Sequence, residues 1–190
     1  MDKKLIENIE QYQKEHLDES SKAHHKNVAN VTAKLCDILE YDDKDDIVII
    51  ASFHDIGKSM IDLEILSKNG PLTKSEWETV KMHPIWGKDI VEELGMPIEY
   101  SIIISQHHER AEGNGYPLGI EHNEIHFGAA IIAVADVFDA LLEKRPYKEA
   151  WSEEKVQSHF IKNLEGFNKV VTNALLDNFD EVIKARQVIK

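Results

Sequence analysis

The sequence predicts an all-α protein, a single helical bundle domain. Apolar residues recur at three- and four-residue spacing through nearly all of the 190 residues. Helix start and stop signals punctuate those stretches. No hairpin signal, two alternating runs around a short turn, is present. The length suits one domain with a real core, or one domain with an appendage.

Residues 1–18 are polar and read as an appended helix, with the domain proper over residues 19–190. Val28, Val31, Leu35, Ile38 and Leu39 form the stripe of an amphipathic helix. The acidic stretch Asp42 to Asp46 interrupts it and is a candidate cap for the next helix. Ile47 to Phe53 fits a strand by periodicity alone, but its neighbours are helical and it is read as a buried helix. Asn69-Gly70-Pro71 is a turn. Thr73-Lys74-Ser75-Glu76 has the form of a capping box.

Helices are then expected over Pro84 to Leu94, ended by Gly95 and Pro97, and over Ile98 to His108. Glu112 to Pro117 is a loop. Phe127 to Leu142 is an apolar helix with Asp136 and Asp139 embedded in it. Ser152 to Lys190 reads as two amphipathic helices separated near Gly166.

Lys plus Arg is 22 and Asp plus Glu is 35, a net charge of −13. This argues against binding a nucleic acid polymer, which needs positive charge facing phosphates. A small anionic ligand stays open, because bound cations reverse the local field. The single cysteine, Cys36, excludes an internal disulfide and reads as a small buried residue. The start of the chain is polar, and the longest apolar run, Phe127 to Ala135, falls short of the ~18 residues of a membrane span. A cytoplasmic protein is expected.

The adjacent His54-Asp55 follows the apolar run Ile47-Val48-Ile49-Ile50. An imidazole and a carboxylate at the edge of a buried stretch are costly unless something satisfies them. A divalent metal does so. His83, His107, His108 and Asp136 are groups of the same kind. His24 lies on the core-facing stripe, while His25 is turned about 100° away. His16, His122, His126 and His159 sit in polar surroundings and read as solvated. Singly, each feature has an ordinary structural explanation. Jointly, in one small helical domain, they point to a metal centre.

Together these segments resemble the HD-GYP family, a branch of the HD metal-dependent phosphohydrolases. The matching motifs are His54-Asp55-Ile56-Gly57-Lys58, His83-Pro84 with Gly87, His107-His108-Glu109, Gly115-Tyr116-Pro117, Ala135 to Leu141, and Arg145-Pro146-Tyr147. The resemblance implies an HD-type bundle with a metal site at its centre and hydrolysis of cyclic di-GMP to pGpG or GMP. It implies two divalent transition-metal ions, iron or manganese before zinc or nickel. One takes His24, His54, Asp55 and Asp136; the other takes Asp55 as a bridge with His83, His107 and His108. Lys58 then faces the scissile phosphate. Asp139, Arg145 and Lys148 touch the ligand, and Tyr116 holds its loop near the pocket.

The chain departs from the family pattern at four places. Ser20 replaces a glutamate that serves a third metal in some members, which favours two. Glu112-Gly113 stands for Asp-Gly, His126 for proline, and Asn168 for aspartate.

The chemistry needs these residue types. Two cations roughly 3.5–4 Å apart bind phosphate oxygens, lower the pKa of a bridging water and steady the leaving oxygen. A two-oxygen carboxylate such as Asp55 can join both ions, and imidazoles complete the shells without cancelling the charge. Lys58 adds a point charge for the transition state. Tyr116 can stack on a guanine or merely cap its turn, and Arg145 can grip a phosphate or pair with a helix end. Another cyclic dinucleotide or nucleotide is the alternative substrate, and a catalytically weak binding module the alternative class. Besides the dinucleotide, partners open to the chain are a second copy of itself or a signalling protein.

Overall fold

In a computed structural model, residues 1–17, 19–144 and 149–186 are described; side chains of residues 19 and 20 are not. The family comparison at Ser20 and the expected ligand contacts Arg145 and Lys148 therefore lie outside the described side chains. Among the described residues the regular structure is helical. It comprises α1 (Lys3–His16), α2 (Glu19–Ile38), α3 (Lys44–Ala51), α4 (Leu63–Leu66), α5 (Lys74–Val80), α6 (His83–Glu93), α7 (Ile98–Gln106), α8 (Phe127–Leu142), α9 (Glu153–Lys162), α10 (Lys169–Asp177) and α11 (Phe179–Arg186), with three short 3-10 turns. No strand occurs among these residues, only an isolated bridge between Glu112 and Glu121.

The centre is α8. It is apolar on every side, as a helix surrounded by neighbours must be, and Ile131, Ile132, Val134, Ala135 and Phe138 are fully buried. α2 lies against it and also packs on α3 and α11, while α7, α9 and α10 cover the rest of α8. The stripe of α2 behaves as its spacing requires, with Val28, Val31 and Leu35 all at 0 % exposure. Burying a side chain such as Phe138 contributes roughly 2–3 kcal/mol.

Local signals set the helix ends. Thr73 and Glu76 form the capping box of α5: the Glu76 amide donates to Thr73 Oγ1 at 3.3 Å, and the Thr73 amide to Glu76 Oε2 at 2.6 Å. Asn168, standing where aspartate was expected, caps α10 by accepting from the Val170 and Val171 amides. His126 does the same for α8, accepting from the Gly128 amide at 3.1 Å, so it is a cap rather than a merely solvated side chain.

The appended helix α1 packs on the domain: Leu5 and Ile9 join the same core, and Gln13 donates to the Ser52 carbonyl at 3.0 Å. Three expectations need correction. Asp43 sits at the cap position of α3 but makes no side-chain cap; Asp46 instead accepts from the Tyr100 hydroxyl at 2.7 Å. α7 ends at Gln106, with His107 at its C-cap in helical conformation and His108 in the turn that follows. The last stretch holds three helices, because Asn178 breaks the pattern without a Gly or Pro and its side-chain Nδ2 donates to the Ala174 carbonyl at 3.0 Å.

One close approach positions the site. The 3-10 turn Ile56–Met60 lies backbone-to-backbone on α6. A Cβ at Gly57 would stand 2.0 Å from the His83 carbonyl oxygen and 2.4 Å from the Gly87 nitrogen. Gly57→Ala is therefore expected to lower stability by about 2–3 kcal/mol, the scale of overpacking a tight contact. Denaturant unfolding reads this; a loss below half a kcal/mol would contradict the backbone contact.

Candidate metal centre

Three of the site histidines are held by one device. The last carbonyls of a helix lack intrahelical partners. His54 Nδ1 bonds the Ala51 carbonyl at 2.8 Å, His83 Nδ1 the Val80 carbonyl at 2.7 Å, and His107 Nδ1 the Ile104 carbonyl at 2.5 Å. These carbonyls close α3, α5 and α7. The carbonyl takes the Nδ1 proton, so each Nε2 is a lone pair aimed inward. His24 is held differently, its Nδ1 lying 2.6 Å from Asp139 Oδ2.

The inward-facing atoms converge. Asp55, His83, His107 and His108 each offer a ligand atom within 4.8 Å of the others, and so do His24, His54 and Asp136. Asp55 stands between the two groups. Its Oδ1 is 3.0 Å from His83 Nε2 and 3.7 Å from His107 Nε2. Its Oδ2 is 3.5 Å from His54 Nε2 and 3.9 Å from His24 Nε2. Asp136 Oδ1 lies 3.1 Å from His24 Nε2, and its Oδ2 3.8 Å from His108 Nδ1.

This donor set fits cations. His83 Nε2 and His107 Nε2 are 3.2 Å apart with both Nδ1 atoms engaged on carbonyls, so two lone pairs face each other. His54 Nε2 and Asp55 Oδ1 are buried without a hydrogen-bond partner among the described residues. Such groups are costly unless an ion lies among them.

The electrostatics agree with neutral imidazoles and ionised carboxylates. Burial pushes His54 down to about 4, and burial with the adjacent imidazoles holds His108 well below the usual range. Burial works to raise Asp55, but Lys58, His54, His107 and His83 outweigh it and hold it well below the usual carboxylate range. His24 is the exception. Burial opposes its charge, yet hydrogen bonds to Asp136 and Asp139 raise it to about 10. Metal at His24 must therefore displace a proton.

The predicted residues fall into three groups. His24, His54, Asp55, His83, His107, His108 and Asp136 meet in one cluster. Lys58 Nζ is on Asp55 Oδ2 at its rim, and the Tyr116 ring lies 4.6 Å from that of His108. Asp139, expected to touch the ligand, is fully buried behind His24, with Oδ2 on His24 and Oδ1 accepting from Arg186 Nε at 2.6 Å. His25 is turned from the cluster as its spacing requires, but it is buried, with its ring 5.2 Å from that of His54.

Several participants escaped the sequence reading. Arg186 left no signal there; only folding brings it to Asp139. Glu109 follows the paired histidines and is buried. Its carboxylate accepts from the amides of Leu118, Gly119 and Ile120 at 2.7–3.2 Å, which ties down the loop that carries Tyr116. Gln106 Oε1 accepts from the His126 amide at 2.7 Å and joins the end of α7 to the start of α8.

The HD domain profile HD_5 matches residues 4–159. The chain is 44 % identical over 108 residues to the cyclic di-GMP phosphodiesterase response regulator RpfG of Xanthomonas campestris, covering 56 % of this chain and 29 % of that protein. It is 34 % identical over 136 residues to the 3'3'-cGAMP-specific phosphodiesterase 2 of Vibrio cholerae, covering 70 % and 26 %. The chain thus spans less than a third of the length of these curated relatives. Bd1817, an HDG"Y"P protein from Bdellovibrio bacteriovorus, superposes with a TM-score of 0.69 at 21 % identity, covering 84 % of this chain and 52 % of that one, a likeness of fold. The chain belongs to the HD domain family. Among the described residues no helix is long and apolar enough to cross a membrane.

The titrations imply a stability optimum for the metal-free chain. His24, raised to about 10, contributes stability that is complete below about 6.5 and lost as pH climbs through 10. His54, lowered to about 4, and His25, lowered to about 3, bind fewer protons folded than unfolded, so stability also falls as pH drops below 6.5. Thermal melts in chelator should peak near neutrality and decline toward pH 9; a rising melting temperature over pH 7–9 would refute this.

Proposed function

We propose that this chain is a metal-dependent phosphodiesterase that hydrolyses cyclic di-GMP to pGpG, GMP or both. The reading rests on one observation: the two oxygens of Asp55 face two different sets of donors. Two ions, iron or manganese, would be held by His24, His54, Asp55 and Asp136 and by Asp55, His83, His107 and His108. When bound, such ions polarise a phosphodiester and supply a nucleophile near neutral pH.

The protein's own residues prepare the reaction. The helix-end carbonyls keep the imidazoles in the tautomer that offers Nε2, and Asp139 with Arg186 does so for His24. Lys58, beside Asp55, places a positive charge where the reacting phosphate gains negative charge. Tyr116 forms one wall beside His108, its ring packed on that imidazole. Arg145 and Lys148 are assigned to the ligand on the family resemblance. The protein is assigned to the cytoplasm. A second substrate, 3'3'-cGAMP, is favoured by the relative named for it, which overlaps 70 % of this chain.

Anaerobic purification, metal analysis and chromatography of both dinucleotides test the assignment. Turnover with about two metals per chain is expected, falling by ~10³-fold or more in Asp55→Ala. Metal with no loss of either dinucleotide would sink the substrate, and absence of metal would sink the enzyme. Asp139→Asn should weaken metal affinity by about 10–100-fold, as loss of an orienting partner does. A raised KM with unchanged metal content would instead restore Asp139 as a ligand contact.

A further inference from the structure

A cleft of about 340 Å³ opens beside His108, lined by Trp77, Lys81, Arg110, Asn114 and Tyr116. This volume is at the lower end for small-molecule sites. In a chain of net charge −13, the lining carries two cations and no carboxylate. Lys81 pairs with Glu78, one helical turn away, at 2.8 Å. Arg110 is held in place: its Nη1 donates to the Glu109 carbonyl at 2.8 Å, and its guanidinium lies 4.8 Å from the centre of the Phe167 ring. Among the described residues no carboxylate lies within ion-pair distance of it. A half-buried guanidinium without a counter-charge, facing a cleft, is suited to an anion.

The aromatic walls differ in availability. One face of Tyr116 is covered by the His108 ring, at 4.6 Å and 32°. Trp77 and His83 meet that tyrosine at steep angles, at 5.8 Å and 77° and at 6.4 Å and 72°. Trp77 is 43 % exposed, so it leaves more surface for a ligand than the half-buried Tyr116.

We propose that this cleft is the nucleotide-anchoring subsite, in which one base of the cyclic dinucleotide stacks on Trp77 and the phosphate not being cleaved is held by Arg110 and Lys81. This rests on the reading of the His/Asp cluster as the site of cleavage, since the cleft reaches that cluster through His108. Stacking on an indole is tolerant of base identity, because every base has a π-face. The subsite therefore anchors guanine and adenine alike and leaves discrimination to other contacts.

Calorimetry of the metal-loaded full chain with a phosphorothioate analogue of cyclic di-GMP tests this, alongside hydrolysis of cyclic di-GMP itself. Trp77→Ala should raise Kd about tenfold, and Trp77→Phe should stay within about threefold of wild type. Lys81→Gln and Arg110→Gln should weaken binding and reduce its salt dependence; Lys81, on the surface, serves as the control should the Arg110 variant unfold. Unchanged Kd in Trp77→Ala, or no binding by the wild type, overturns the subsite. Unchanged KM with full hydrolysis overturns the subsite and spares the phosphodiesterase. Binding that depends on Trp77 without any hydrolysis keeps the subsite and overturns the phosphodiesterase.

Discussion

The buried carboxylate of Asp55 is the constraint on which the rest of the structure depends. Its two oxygens face opposite ways, each toward imidazole nitrogens from different helices. A carboxylate in that position is unfavourable to bury and is tolerated only where cations compensate. Lys58 supplies one at the rim, and the converging nitrogens define where others would sit. The 3-10 turn after Asp55 must also lie flat on α6, which is why Gly57 and Gly87 meet there without side chains.

The histidines show how a bundle makes such a centre from ordinary parts. Helix ends leave carbonyls unsatisfied, and each of α3, α5 and α7 uses a histidine to satisfy one. A single bond thus caps a helix, selects a tautomer and aims a lone pair. The same arrangement works against the metal-free fold, because it brings lone pairs together in a dry interior. Stability and metal occupancy are therefore coupled in this domain. His24, the one site histidine with a carboxylate behind it, is also the one whose proton a metal must displace.

Around this core the loops are positioned by buried polar groups. Glu109 gathers three backbone amides of the loop after Tyr116 and so fixes the ring against His108. Arg110, next in the chain, points to the cleft on the other side. Two neighbouring residues thus serve the loop and the pocket, and both come directly after the paired histidines.

The sequence by itself determined the helical class, the apolar helix over Phe127–Leu142, the capping box at Thr73 and the membership of the His/Asp cluster. These were legible because spacing, caps and ligand chemistry are local properties of residue type. Tertiary structure alone decided that Leu5 and Ile9 enter the common core, that Arg186 reaches Asp139 from 47 positions away, and that Asp139 lies against His24. It also decided that Trp77 is more exposed than Tyr116, whose ring packs on His108. The physical reason is that burial and pairing depend on which helix faces which, and periodicity marks only that a face is buried, not what it is buried against.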